Sequence, residues 1–107
     1  MDGFECIDIH KAKEIMDQGQ AMVIDVRDMG SFEEAHIEKA VFLTDQTVEN
    51  FIKQANKEQP LICYCYHGNN SQMAAAFFLE NGFKKVYSID GGFEAWRQEY
   101  PSANGSS

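Results

Sequence analysis

The chain has 107 residues, 44% of them hydrophobic and 12% aromatic, which fits one folded domain with one core and excludes a disordered chain. Its 17 acidic side chains against 9 basic ones leave a formal net charge of -8, which argues against nucleic acid or an anionic membrane surface as the main partner, because both need basic patches. The N-terminal Met1-Asp2-Gly3-Phe4-Glu5 has no apolar core of a signal peptide, and the longest apolar run, Met73 to Leu79, is far too short to span a bilayer.

In chain order, Phe4 to Ile9 reads as a first strand and His10 to Gln18 as a helix, with Asp8 as its cap and Gly19 as its stop. Ala21 to Val26 is an apolar run with β-branched residues, as a buried parallel strand requires. Ser31 with Glu34 three residues on fits a capping box, so a short helix begins at Ser31. Ala40 to Leu43 is a short strand. Thr47 to Ala55 places Val48, Phe51, Ile52 and Ala55 at helical spacing, which makes one apolar face. Pro60 closes a turn, and Leu61 to Cys65 follows as the central strand. Ser71 to Glu80 reads as a helix ended by Asn81-Gly82, and Lys85 to Ile89 as the last strand. Gly91-Gly92 is a turn, and Phe93 to Tyr100 is a final helix stopped by Pro101. These elements give one domain over residues 1–101 and a flexible, frayed tail over 102–107. Strands alternating with helices predict an α/β fold, an open and mainly parallel sheet of about five strands with helices on both faces. In such sheets ligands bind beyond the C-terminal ends of strands.

Cys65 sits at such an end, where the central strand runs into the polar loop Tyr66-His67-Gly68-Asn69-Asn70 and then into the helix from Ser71. A loop curling over a cysteine there aims backbone N–H groups inward, and the helix N-terminus adds its positive end. Such a cradle binds an anion and favours thiolate over thiol. Gly68 permits the positive φ that the curl needs. A thiolate held by N–H groups needs no base, so His67 is read as shaping the pocket mouth. Ser71 caps the helix, donates to the sulfur, or does both.

Cys63 lies two residues before Cys65 and points to the same face of the strand. A disulfide across one residue of a strand would be badly strained, and zinc would need about two more soft ligands that the sequence does not cluster nearby. Cys63 is therefore read as a buried core thiol, and Cys6 as core or edge packing. Three cysteines are an odd number, and with no secretion signal they suggest free thiols in a reducing cytoplasm. Asp25-Val26-Arg27 closes the second strand. Arg27 either attracts an anionic substrate or pairs with Asp28, Glu33 or Glu34, and the structural pairing is the preferred reading. His36 is expected to anchor a loop through hydrogen bonds, and Phe93 with Trp96 to close the core.

From Phe4 to Trp96 the chain resembles the rhodanese family of sulfurtransferases, in particular its short single-domain bacterial thiosulfate sulfurtransferases. The resemblance rests on Asp25-Val26-Arg27, on Ala35-His36-Ile37 followed by Ala40, on Cys65-Tyr66-His67-Gly68-Asn69-Asn70-Ser71, and on Gly91-Gly92-Phe93-Glu94-Ala95-Trp96. It implies a rhodanese-like fold and sulfur transfer through a Cys65 persulfide, with residues 66 to 71 binding the substrate. The Cys65 thiolate takes the outer sulfur of thiosulfate, sulfite departs, and an acceptor removes the sulfur: cyanide, a dithiol or a thioredoxin-like protein. No metal or organic cofactor is implied, and a monomer or weak dimer is expected. Ala35, Lys39 and Asn70 depart from the family's usual residues, and only Asn70 lies in the loop.

Three other readings share the fold. A cysteine-dependent phosphatase or arsenate reductase needs an arginine at the loop's end to clamp an oxyanion, and Ser71 stands there. A non-catalytic binding module would not need the cysteine. A persulfide sulfur carrier differs from the enzyme only in its donor.

Overall fold

The computed structural model describes residues 3–104. The elements run β1 (Glu5–Ile7), α1 (Ile9–Asp17), β2 (Met22–Asp25), α2 (Met29–Glu34), β3 (Val41–Phe42), α3 (Val48–Gln54), β4 (Leu61–Tyr64), α4 (Asn70–Glu80), β5 (Val86–Ile89) and α5 (Gly92–Glu99). The five strands form one sheet in the order β1-β5-β4-β2-β3, and every pair is parallel. From β2 the chain steps outward to β3, returns to the centre at β4, and then moves toward the opposite edge through β5. The direction of winding therefore reverses between β2 and β4. That switch opens a crevice beyond the C-terminal ends of these two strands, where connections diverge to opposite sides.

Alternation along the strands divides the core into two halves. Ile62 and Tyr64 of β4 point to one face, with Val23, Ile37, Ile89, Phe93 and Trp96. Leu61 and Cys63 point to the other, with Ile24, Ala75, Phe78, Phe83 and Val86. Burying each large side chain of this kind contributes about 1.5–3 kcal/mol. Because β4 is covered on both faces, all four of its residues are buried.

The caps explain where the helices start. The Asp8 carboxylate accepts from Lys11 N at 2.8 Å and opens α1. The expected capping box at Ser31 and Glu34 does not form. Asp28 is the cap of α2, accepting from Ser31 N at 3.1 Å and from the Ser31 hydroxyl at 2.7 Å, so the helix begins at Met29. A short acidic side chain one turn earlier supplies both acceptors, which leaves Glu34 nothing to complete. At the end of α4, Phe83 N bonds the Phe78 carbonyl and Gly82 N the Leu79 carbonyl. Gly82 has a φ of 100° there, as a left-handed helix stop requires.

The segment after Pro101 is not wholly frayed. Ala103 and His36 exchange two backbone hydrogen bonds, each of 2.9 Å, in an antiparallel bridge. The rest of the expected tail, 105–107, lies outside the described residues. No helix among the described residues is long and apolar enough to cross a membrane.

Candidate active site

Cys65 is the first residue beyond β4, at the C-terminal edge of the sheet. Its side chain shares the face of Cys63, the face on which α4 packs. The chain turns sharply after it because Gly68 takes a φ of 100°. A Cβ at Gly68 would stand 3.1 Å from both Gly91 N and the Ile89 carbonyl oxygen. Only glycine satisfies both the torsion and the space.

The turn places donors around the sulfur. Gly68 N donates to Cys65 Sγ at 3.1 Å and Ser71 N at 3.3 Å. The Ser71 hydroxyl lies 3.6 Å from it. Ser71 is the second residue of α4, not its cap, which is Asn69. Its N–H is one of the unpaired groups of the first helical turn, so the sulfur receives a donor that helix geometry leaves free.

A second helix holds the loop from behind. Phe93 N donates to the Cys65 carbonyl at 2.8 Å and Glu94 N to the Tyr66 carbonyl at 2.9 Å. In a trans peptide the carbonyl and the following N–H point opposite ways, and the described chain has no cis peptide. Tying these two carbonyls to α5 therefore turns the N–H groups of Tyr66 and His67 away from it. The approach is close enough to require Gly92: a Cβ there would collide with the Cys65 carbonyl oxygen and stand 2.6 Å from the carbonyl carbon and oxygen of Tyr66. Gln72 Nε2 adds a bond to the Gly68 carbonyl at 3.1 Å.

These contacts set the acidity of the thiol. Burial alone would push Cys65 up. The Ser71 hydroxyl and the N–H groups of Ser71, Gly68 and His67 outweigh it, and the pKa falls below the ordinary thiol value of 9.0. Cys63, buried with no such donors, is pushed up to about 12. Cys6 is exposed on the edge strand β1, and slight burial with the neighbouring Asp90 carboxylate raises its pKa.

Arg27 does not pair with Asp28, Glu33 or Glu34 as expected. Its Nε stands 3.1 Å from both oxygens of Asp25, and its Nη2 is 2.7 Å from Asp25 Oδ2 and 2.6 Å from the Ala35 carbonyl. Asp28 is occupied as the cap of α2, while Asp25 lies two residues back at the strand end. Asp25 Oδ2 also accepts from the Tyr64 hydroxyl at 2.7 Å, and that hydroxyl accepts from Ile37 N at 3.1 Å. The guanidinium lies 4.4 Å from the centre of the Phe93 ring. With side chains 4% and 0% exposed, the Arg27–Asp25 pair is a buried clamp that joins β2, β4, the segment after α2 and α5. It offers little of a free fork to an anion.

His36 lies away from the loop in its bonding: Nδ1 is 2.7 Å from the Phe32 carbonyl, and the ring stacks on Phe32. Tyr66, His67, Asn69 and Asn70 are exposed around the mouth, with the rings of Tyr66 and His67 stacked at 5.1 Å. One residue escaped the sequence reading. Ser88, on β5, is buried, and its Oγ is 2.7 Å from Ser71 Oγ. A serine inside the otherwise hydrophobic run Val86-Tyr87-Ser88-Ile89 was the available signal, since buried polar groups demand partners.

Residues 8–99 match the family model of the Rhodanese-like domain. The chain is 47% identical over 98 residues to the thiosulfate sulfurtransferase GlpE of Vibrio cholerae, covering 92% of each. It is 46% identical over 101 residues to that of Pseudomonas syringae, covering 94% of each. Among solved structures, a rhodanese-like domain protein from Staphylococcus aureus superposes with a TM-score of 0.81 at 20% identity, over 96% of this chain and 100% of that one. A Bacillus halodurans protein superposes with a TM-score of 0.80 at 30% identity, over 95% and 77%.

Proposed function

Since the chain belongs to the rhodanese family, we propose that it is a thiosulfate sulfurtransferase working through a persulfide on Cys65. The Cys65 thiolate attacks the outer sulfur of thiosulfate. An S–S bond forms at Sγ, the S–S bond of thiosulfate breaks, and its electron pair leaves with sulfite. The acceptor then attacks the outer sulfur of the persulfide, and the electron pair of that bond returns to Sγ as thiolate. With cyanide the product is thiocyanate; a dithiol or a thioredoxin-like protein takes the sulfur in the same way. Both steps are heterolytic displacements on sulfur, run as ping-pong covalent catalysis.

The observation that carries this reading is the donor set on Cys65 Sγ from Gly68 and Ser71. These groups stabilise the thiolate before attack and again as it is regenerated, in the manner of an oxyanion hole. Residues 66 to 71 supply the surrounding loop. Neither the loop nor Arg27 presents a free cation, and the chain carries a net charge of -8. Affinity for dianionic thiosulfate therefore rests on backbone N–H groups and is modest. A reducing cytoplasm suits a mechanism that needs Cys65 as a free thiol.

Incubation with thiosulfate should add the mass of one sulfur atom to the protein, and cyanide should remove it as thiocyanate. Cys65→Ser should reduce turnover by about 10³-fold or more and abolish the mass change. A Cys65→Ser protein that still completes the cycle would sink the assignment.

A further inference from the structure

We infer that Ser88 is a positioning residue for Cys65: the Ser88 and Ser71 hydroxyls form a two-proton chain that donates to the sulfur when it is thiolate and reverses when it is thiol. The inference deepens the persulfide reading, because it concerns the same nucleophile.

Ser71 and Ser88 are 0% and 1% exposed, so no bulk water serves their hydroxyls. Their oxygens lie 2.7 Å apart, the usual length of an O–H···O bond. Each hydroxyl has one proton to give. A Cys65 thiolate is an acceptor only. Ser71 must then spend its proton on Sγ, 3.6 Å away, and its oxygen must receive the proton of Ser88. When Cys65 is a thiol, S–H donates to Ser71 Oγ, the Ser71 proton turns to Ser88 Oγ, and the Ser88 proton turns out of the pair. The thiol proton itself leaves to solvent on ionisation; the two hydroxyl protons only rotate. The thiolate arrangement ends on a full charge, so each bond polarises the next and the chain gains more than it does in the neutral state. Ser88 thereby favours the thiolate without touching it. The titratable side chains on the surrounding elements are Glu5 and Cys6 on β1, Cys63 and Tyr64 on β4, Tyr66 and His67 in the loop, Glu80 on α4, Tyr87 on β5, Asp90 after it, and Glu94, Arg97 and Glu99 on α5. None of these side chains bonds Ser71, Ser88 or Cys65 Sγ, which leaves the hydroxyl pair as the side-chain support of the sulfur beside the N–H groups of Gly68 and Ser71.

The test reads Cys65 ionisation without any substrate, from the pH dependence of iodoacetamide alkylation in a Cys6→Ser background. Cys63 is 0% exposed and burial pushes its thiol up to about 12, so it stays protonated and does not compete. Ser88→Ala should move the profile to higher pH and slow alkylation near neutral pH by about three- to tenfold. The isosteric pair Ser88→Thr and Ser88→Val isolates the hydroxyl: threonine should keep the parent profile and valine should shift it. In a Ser71→Ala background, Ser88→Ala should add nothing, because the chain is already cut. Coincident threonine and valine profiles would overturn the inference, as would a full Ser88→Ala shift without Ser71. Because alkylation needs no thiosulfate, failure of sulfur transfer with these shifts intact would remove the enzymatic reading and leave the relay standing.

Discussion

Cys63 and Cys65 stand two residues apart, face the same side of the sheet and are both nearly inaccessible, at 0% and 4% exposure. Their thiols are nonetheless driven in opposite directions, one up to about 12 and the other below 9.0. Cys63 lies inside β4 among Ile24, Ala75 and Phe78, where the strand's own N–H groups are spent on its neighbours. Cys65 lies one residue past the ladder, where the backbone is free to aim N–H groups at a side chain. Burial therefore does not decide how acidic a thiol is here. The supply of donors does, and that supply begins where the sheet ends.

Removing the support that α5 gives the loop should cost Cys65 the most. Gly92→Ala places a methyl against the carbonyls of Cys65 and Tyr66, at a φ of 56° that disfavours any side chain. The loop must shift, and the N–H groups lose their aim. The expected loss is about 1–3 kcal/mol of stability in urea unfolding, together with alkylation of Cys65 slowed toward that of an ordinary thiol. An unchanged alkylation rate would mean that the grip of α5 on the loop does not set the acidity of Cys65.

A pH series separates the two cysteines, because they act on stability in opposite senses. Cys65 has a folded pKa below its unfolded value near 9.0. Its contribution is complete above 9.0 and is lost as pH falls through the folded value, and thiosulfate turnover falls with it. Cys63 has a folded pKa raised to about 12. Its contribution is complete below 9.0 and is lost as pH rises toward 12. Urea midpoints should therefore gain from Cys65 with rising pH below 9.0, and lose through Cys63 above it. Cys65→Ala should flatten the lower limb and Cys63→Ala the upper one. Identical profiles for both variants would contradict the contrast.

Much of this was legible in the sequence, for reasons that can be named. The order of strands and helices followed from apolar runs such as Ala21 to Val26 and from stops at Gly19 and Gly82, because burial on two faces and left-handed stops leave local marks. The donor cradle at Cys65 was legible because a strand, a glycine-bearing loop and a helix start are contiguous. The partner of Arg27 was not. Any of several carboxylates nearby satisfies charge, and only the capping role of Asp28 and the depth of Asp25 decide among them. Gly92 read as an ordinary turn, because its need is set by a loop that passes it from 26 residues earlier in the chain. Ser88 was hidden for the same reason: its partner Ser71 lies 17 residues away, across a contact that only the sheet creates.

The smallest expected effect is the most discriminating. Cys63→Ala removes one sulfur from a cluster that has no polar partner for it, and the loss should be on the order of 1 kcal/mol, as for other small truncations in a core. None of the donors to Cys65 comes from Cys63. They come from Gly68, His67 and Ser71, fixed by α4 and α5. Sulfur transfer and the alkylation profile of Cys65 should thus stay within about twofold of the parent while the urea midpoint falls. A mechanical route from Cys63 to the cradle runs through the packing of Ala75 and Phe78 on α4. Any larger loss of activity carried by that route would come with a matching loss of stability. If Cys63→Ala instead abolished the persulfide at undiminished stability, Cys63 would be part of the chemistry, and the division of β4 into an inert interior and a reactive end would fail.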